Sequence, residues 1–402
     1  MLGVPRIAVL IESSRASGRG LLRGIAKYAH LFGPWTFYRM PPTYRSSVFY
    51  GEAPGAAGGA TRKADKITSL RESKADGIIA HVPNEKVAKQ LITRGCPAVV
   101  VPANEVIPGL PNLVSDGDRA GELAAEHLLN IGLQYFAFCG YDPNYWSRER
   151  YRGFQKRIGQ AGHNVHVFHQ AKPKSRRLWE NEQGPIANWL RSLPKPVGVW
   201  VWNDDLAEYV LAACKISGLV VPDDVCVLGA DDDELVCSMC EPPLSSVAFN
   251  FERAGYEIAG LLRKLMKGEK VKNPVVTLHT THIVSRQSTN ALVLQDRDVA
   301  EAVRYIYANA QKPVRVQDVL NAVKLSRRVL YDRFQEVLGR PIYEEIMRVR
   351  AERIARLLVD TNLPISKIAN DLGFPGVEHI SRYFKKIKGM SPRQYRKIYG
   401  QP

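Results

Sequence analysis

The chain has 402 residues, enough for two or three domains at about 100–200 residues each. Its 45% hydrophobic, 24% charged and 9% aromatic residues are the make-up of an ordinary globular protein, which argues against disordered, collagenous and membrane classes, and no run approaches the roughly 18 apolar residues of a membrane helix. A net charge of +16 is the balance of a protein that meets phosphates, and it is uneven: residues 290–402 carry 21 basic and 12 acidic side chains, residues 1–289 carry 35 and 28.

From residue 5 to about 285, short apolar strands alternate with helical segments, the pattern of parallel sheets covered by helices. Strands are predicted at residues 6–13, 35–38, 76–82, 97–103, 112–116, 135–140, 164–169, 197–204 and 226–232. Between them GRGLLRGIAKYAHLF, DRAGELAAEHLLNIG, RERYRGFQKRIGQAG and DDLAEYVLAACKISG read as helices, several closing on Gly, which tolerates the left-handed conformation of a helix end. The opening residues read as a buried strand rather than a secretory signal, so a cytoplasmic location is expected. GEAPGAAGGA at 51–60 reads as a surface loop. Near residues 285–297 the alternation stops, and Val299 to Tyr399 reads as helices joined by short turns. The predicted organisation is residues 1–288, a linker at 289–297, and an all-α part at 298–402.

Cofactor and metal signals are weak. Six irregularly spaced cysteines fit reduced thiols, and Cys237 and Cys240 form a lone CxxC without a second ligand pair. His163, His166 and His169 lie on a predicted strand, where spacings of three alternate between faces. No metal, no cofactor and no catalytic residue is expected.

The predicted strands of the first part end in polar residues: Glu12 and Ser13, Asp116, Asn203 and Asp204, Asp231 and Asp232. In open parallel sheets ligands bind outside the carboxyl ends of the strands, so these residues would share one cleft. Carboxylates, an amide and an Arg sort hydroxyls that both donate and accept, and Tyr145, Trp146, Trp179 and Trp202 could supply an apolar wall. The strings SDGDRAGELAAEHLLNIG, SRERYRGFQKRIGQAG, VWVWNDDLAEYVLAACKISGLVVPDDVCVLGADDDEL and PPLSSVAFNFERAGYEIAGLL resemble the ligand domains of LacI-type repressors and periplasmic sugar-binding proteins over about residues 5–288. The resemblance implies a two-lobed α/β fold with sugar contacts at Asp116, Arg150, Asn203 or Asp204, and Asp231. Trp146 and Ser13 complete the candidate set.

The all-α part repeats one pattern, at residues 314–339 and 363–389. Each copy has a short helix, a tight turn, and a second helix with an aromatic at a matching offset, Phe334 or Phe384. That is a helix-turn-helix, whose second helix fits the major groove of DNA. Two copies joined by PIYEEIMRVRAERIARLLVDT and followed by GMSPRQYRK resemble the DNA-binding domain of AraC-type transcription factors over about 100 residues. Lys324 departs from that family, which usually has Gly in the first turn, so a slight distortion is expected there. The resemblance implies that Arg328, Tyr331 and Asp332, with Arg327 near the backbone, face one groove, and Val377, Glu378, His379 and Arg382 the next. Arg can donate bidentately to guanine, Glu can accept from cytosine, and Val can touch a thymine methyl. Arg333, Lys385, Lys386, Arg393 and Arg396 are candidates for phosphates or for a solvated basic face.

A LacI-like sensor in front of an AraC-type module resembles a group of pentose-responsive activators. The expectation is therefore a transcription regulator that binds an operator in double-stranded DNA and a pentose, D-xylose first, acts on RNA polymerase, and forms a homodimer without touching a membrane. An enzyme that processes glycosides through paired carboxylates is the main alternative, and no Ser-His-Asp, P-loop or GxGxxG string supports it. A transport binding protein would need export.

Overall fold

The computed structural model describes residues 4–39, 75–92, 95–142, 144–169, 180–272, 274–290 and 296–402. The Gly/Ala-rich stretch, Trp179 and residues 291–295 of the expected linker lie outside them. The first lobe begins with β1 (Arg6–Leu10), α1 (Ala16–Phe32), β2 (Thr36–Arg39), β3 (Gly77–Val82), α2 (Glu85–Ile92), β4 (Ala98–Pro102) and β5 (Asn112–Ser115). The second holds α3 (Gly117–Asn130), β6 (Tyr135–Gly140), α4 (Tyr145–Gln160), β7 (Val165–His169), α5 (Glu180–Ser192), β8 (Val197–Val201), α6 (Asp204–Ile216), β9 (Val225–Ala230), α7 (Glu234–Met239) and β10 (Ser245–Phe249). The chain then returns to the first lobe with α8 (Phe251–Met266) and β11 (Val275–Leu278), and ends in the second with β12 (Thr280–Val284).

Each lobe is a six-stranded sheet, ordered β11-β5-β4-β3-β1-β2 and β12-β10-β9-β8-β6-β7. All pairs are parallel except β12, which runs antiparallel to β10. Strands such as AVVVP, VGVWV and VCVLGA are buried along their whole length, as helices on both faces require. Strands β10, β11 and β12 were not among the expected ones. VVTLHTTHIV reads as one run, and only the change of sheet at His279 splits it into β11 and β12. The expected strand over 197–204 ends at Val201, because Asn203 turns to cap α6, its side chain accepting from Leu206 N at 3.0 Å.

Among the described residues the chain thus crosses between lobes three times: at Asp116, at Phe249–Asn250, and at His279. The lobes meet in a closed arrangement. Arg15 pairs with Asp205 at 2.7 Å, Arg19 with Asp233 at 2.8 Å, and Trp146 Nε1 donates to Pro102 O at 3.0 Å.

The all-helical part comprises α9 (Arg297–Ala308), α10 (Val316–Val323), α11 (Arg327–Leu338), α12 (Ile342–Asp360), α13 (Ile365–Asp371), α14 (Val377–Lys388) and α15 (Pro392–Tyr399). Helix α12 serves both repeats. Its Ile342, Ile346 and Val349 complete the core of α9–α11, while Ile354, Ala355 and Leu358 complete that of α13–α15. Glu345, fully buried in α12, accepts from Arg340 Nε at 2.6 Å and Arg348 Nε at 2.9 Å, and Arg348 also donates to Tyr307 on α9 at 2.6 Å. Burial works against this carboxylate, yet hydrogen bonds and the charge of the two guanidinium groups hold it below its ordinary value.

Candidate functional site

Between the lobes lies a cavity of about 70 Å³, bordered by Glu12, Arg15, Ser17, Leu21, His81, Pro102, Ala103, Tyr141, Asn144, Trp146, Arg150, Trp202, Asp231 and Phe251. Arg150 is its most constrained polar group. It sits on α4, held against α3 where Gly121 and Gly153 let the backbones touch: a Cβ on Gly121 would stand 2.3 Å from Arg150 O, and one on Gly153 2.0 Å from Asp118 O. The side chain is 1% exposed, donates from Nη2 to Asp231 Oδ1 at 2.8 Å and from Nη1 to Trp202 O, and lies 4.5 Å from the centre of the Phe249 ring. Its Nε finds no partner among the described residues.

Asp231 reaches the cavity from the end of β9. It and Asp232 both have left-handed backbones, with φ of 103° and 48°, a conformation that Asp adopts more readily than most residues. Burial raises the Asp231 carboxyl above its ordinary value, and Arg150 pulls it back. His81, on β3, is held neutral: burial lowers it to about 4, with Glu12 opposing and Arg15 adding to the shift. The cavity therefore offers a fixed guanidinium, carboxylates, a neutral imidazole and an amide against the rings of Trp146, Trp202, Tyr141 and Phe251. That is a set able to sort hydroxyl groups over an apolar ring face.

Of the expected ligand residues, the structure brings Arg150, Asp231 and Trp146 to this cavity and leaves the others off its wall. Asn203 is spent on the α6 cap. Asp204, 2% exposed, accepts from Asp233 N at 2.8 Å and Ser246 Oγ at 2.7 Å, and so anchors the loop that carries Asp231. Asp116 accepts from Thr280 N at 2.8 Å and meets His279 Nδ1 at 3.2 Å, tying two crossovers together. Ser13 sits outside the lining residues, and so does buried Tyr145. Trp202 borders the cavity as expected of the aromatic set. His81, Tyr141, Asn144 and Phe251 escaped the sequence reading. The cluster YDPNYW, directly after β6, carried a usable signal, since it places polar and aromatic side chains at a strand's carboxyl end; His81, inside an apolar strand, carried none.

The helical part presents its expected groove residues outward. Arg327, Arg328 and Asp332 on α11 and Val377, Glu378, His379 and Arg382 on α14 are exposed, and Tyr331 is half-buried beneath Arg327. On the opposite faces Leu330, Phe334, Ile380 and Phe384 are fully buried. Lys385, Lys386 and Arg393 are exposed. Arg333 pairs with Asp298 at 2.8 Å and Arg396 donates to Leu358 O at 3.3 Å, so both are engaged inside the fold rather than on the outer face. Among the described residues no group of three metal-ligating side chains occurs, and no helix is long and apolar enough to cross a membrane. None of the six cysteines forms a disulfide, Cys237 and Cys240 included.

A periplasmic binding protein-like domain model matches residues 125–289 and a helix-turn-helix domain model residues 319–398. The chain is 30% identical to the xylose operon regulatory protein of Haemophilus influenzae over 335 residues, 82% of this chain and 86% of that protein. It is 27% identical to the protein of the same name from Escherichia coli K12, over 98% of this chain and 97% of that one. A solved structure of a xylose-binding transcription activator, 26% identical, superposes over 98% of each chain with a TM-score of 0.58.

Proposed function

The chain belongs to the family of xylose operon regulatory proteins, and from that premise we propose that its interlobe cavity binds a pentose, D-xylose first, and that sugar binding changes how the helical module engages an operator. As a sugar-responsive transcription regulator it has two working parts: the two-lobed sensor and the double helix-turn-helix. The observation that carries the sugar assignment is Arg150. A buried guanidinium whose Nε has no partner among the described residues, paired with a carboxylate and facing aromatic rings, suits a ligand with several hydroxyls and an apolar ring face. A ligand can act only through its preference for one state of the sensor, here the closed one, in which Arg15–Asp205 and Arg19–Asp233 bridge the lobes.

Arg328, Tyr331 and Asp332 read one major groove, Val377, Glu378, His379 and Arg382 the next, and Arg327 steadies the backbone. The regulator works in the cytoplasm as an activator that acts on RNA polymerase, as a homodimer whose paired modules contact four groove segments. Turnover of the sugar is not expected, because Asp231 is tied to Arg150 rather than poised as half of a hydrolytic pair.

The test is calorimetry with a panel of pentoses and hexoses. The parent should bind D-xylose best, and Arg150→Ala or Asp231→Ala should weaken that binding by about 1–3 kcal/mol by leaving a hydrogen-bonding group unpaired. Binding as tight as the parent's in either variant would overturn the cavity assignment.

A further inference from the structure

The helical module packs on β12 of the second lobe, where His282 lies 3.7 Å from Asp360, and its last helix reaches past that strand to the crossovers between the lobes. Asn250 marks the second crossover. Its Oδ1 accepts from Arg253 N at 3.1 Å and caps α8, while its Nδ2 donates to Tyr399 O, the last carbonyl of the module's final helix, and at 3.0 Å to Gly400 O just beyond it. Its backbone N–H donates to His279 O at 3.0 Å, on the third crossover. The His279 ring stands edge-on to Tyr399, 5.6 Å between centres, and its Nδ1 meets Asp116, on the first crossover, at 3.2 Å. Just beyond, Arg356 of α12 donates to Ile283 O at 3.0 Å.

Lobes that open and close must change backbone dihedrals at the segments that connect them. A module fixed to one lobe would ride with it unchanged. A module whose last helix is hydrogen-bonded to the crossovers meets different partners in the two states, and such a difference in contact energy is what couples two sites. We propose that Asn250 is the coupling residue: its amide reports lobe closure over the sugar to the DNA-binding module through the carbonyl end of α15. This rests on the sugar reading of the interlobe cavity. Asn250 itself does not border that cavity.

Asn250→Asp separates coupling from folding. Asp caps a helix as well as Asn does, so α8 keeps its cap, but a carboxylate facing the Tyr399 and Gly400 carbonyls repels where the amide donated. The experiment titrates full-length parent and variant with D-xylose by calorimetry, alone and with the duplex recovered by binding-site selection, and measures duplex affinity with and without sugar. The parent should show a sugar-induced change in duplex affinity of about 5-fold or more, matched by reciprocity in its sugar affinity. The variant should bind each partner alone within about 3-fold of the parent and lose most of that mutual change. Tyr399→Ala, which removes the ring against His279 from the module's side, should do the same and carries the test if Asn250→Asp does not fold. Full coupling retained in a folded variant overturns the inference alone. A parent that binds sugar without any effect on the duplex overturns it too, and a parent that binds no sugar in the panel overturns the sugar reading along with it.

Discussion

Lys324 shows how far a single residue can be read. The sequence marked it as a departure in the first helix-turn-helix, and the structure holds it in the left-handed region at φ 54°, where the second repeat has Gly373 at φ 69°. The turn keeps its geometry, and the side chain carries the strain. That conformation costs a non-glycine residue about 1–2 kcal/mol, while glycine's extra freedom in the unfolded chain gives back about 0.5–1 kcal/mol. Lys324→Gly should therefore raise the stability of the helical module by about 0.5–1 kcal/mol, read as a higher urea midpoint. The family resemblance implies a ligand contact at Asn203 or Asp204, and the structure makes Asp204 the buried anchor of the 231–233 loop. Burial holds its carboxyl well above the ordinary range, with Asp231 adding to the shift. A carboxyl raised on folding contributes stability that is complete below its unfolded value and lost as pH rises through the folded one. Asn can keep the acceptor for Asp233 N and donate to Ser246 Oγ, so Asp204→Asn should gain on the parent in urea stability between pH 5 and pH 8. A gap between the two that is the same at both pH values would show that Asp204 is ionised at no cost.

At the scale of elements, helical periodicity separates core from outer face without the structure. In α14 the buried Ile380 and Phe384 recur at a spacing of four, which leaves Glu378, His379 and Arg382 outward. Arg382→Ala should cost about 1–3 kcal/mol at the selected site and relax preference at one base pair, whereas Lys385→Ala should weaken all sequences alike and flatten the salt dependence. Binding-site selection with both variants decides: an unchanged sequence preference in Arg382→Ala would remove it from the reading set. Periodicity was less informative for charged groups. Nothing in the sequence distinguishes Arg333 and Arg396, engaged within the module, from exposed Lys385 and Arg393, because their partners Asp298 and Leu358 O come from other helices.

For the whole molecule, the joint between sensor and module is itself titratable. His282 on β12 lies 3.7 Å from Asp360 on α12, and His127 on α3 bonds Thr289 Oγ1 at 2.9 Å. Burial first, then Arg356 for His282 and Arg348 for His127, lowers them to about 3 and about 4. Unfolded imidazoles titrate near 6.5, so the folded protein binds fewer protons than the unfolded chain between those values, and stability complete above 6.5 is lost as pH falls toward the folded values. The loss from His282 alone at pH 5 should be about 2 kcal/mol. His282→Gln should accordingly lose less stability than the parent between pH 7 and pH 5, and parallel urea midpoints would refute this.

Local pattern was enough for the alternation of strands and helices and for the repeated helix-turn-helix, while the two lobes and the regulatory role came from the resemblance to known families. Apolar runs of strand length, helices between them, and a duplicated helix-turn-helix are written in neighbouring residues, because burial on a strand or helix follows its own period. What only the tertiary structure decided is which distant residues meet. Strand β11 pairs with β5 across more than 150 residues of chain, Arg150 finds Asp231, Asp116 turns to Thr280 instead of the cavity, and Asn250 reaches Tyr399. Side-chain direction at a crossover depends on the lobe to which the chain crosses, and that is a property of two sheets closing on each other rather than of any segment within them.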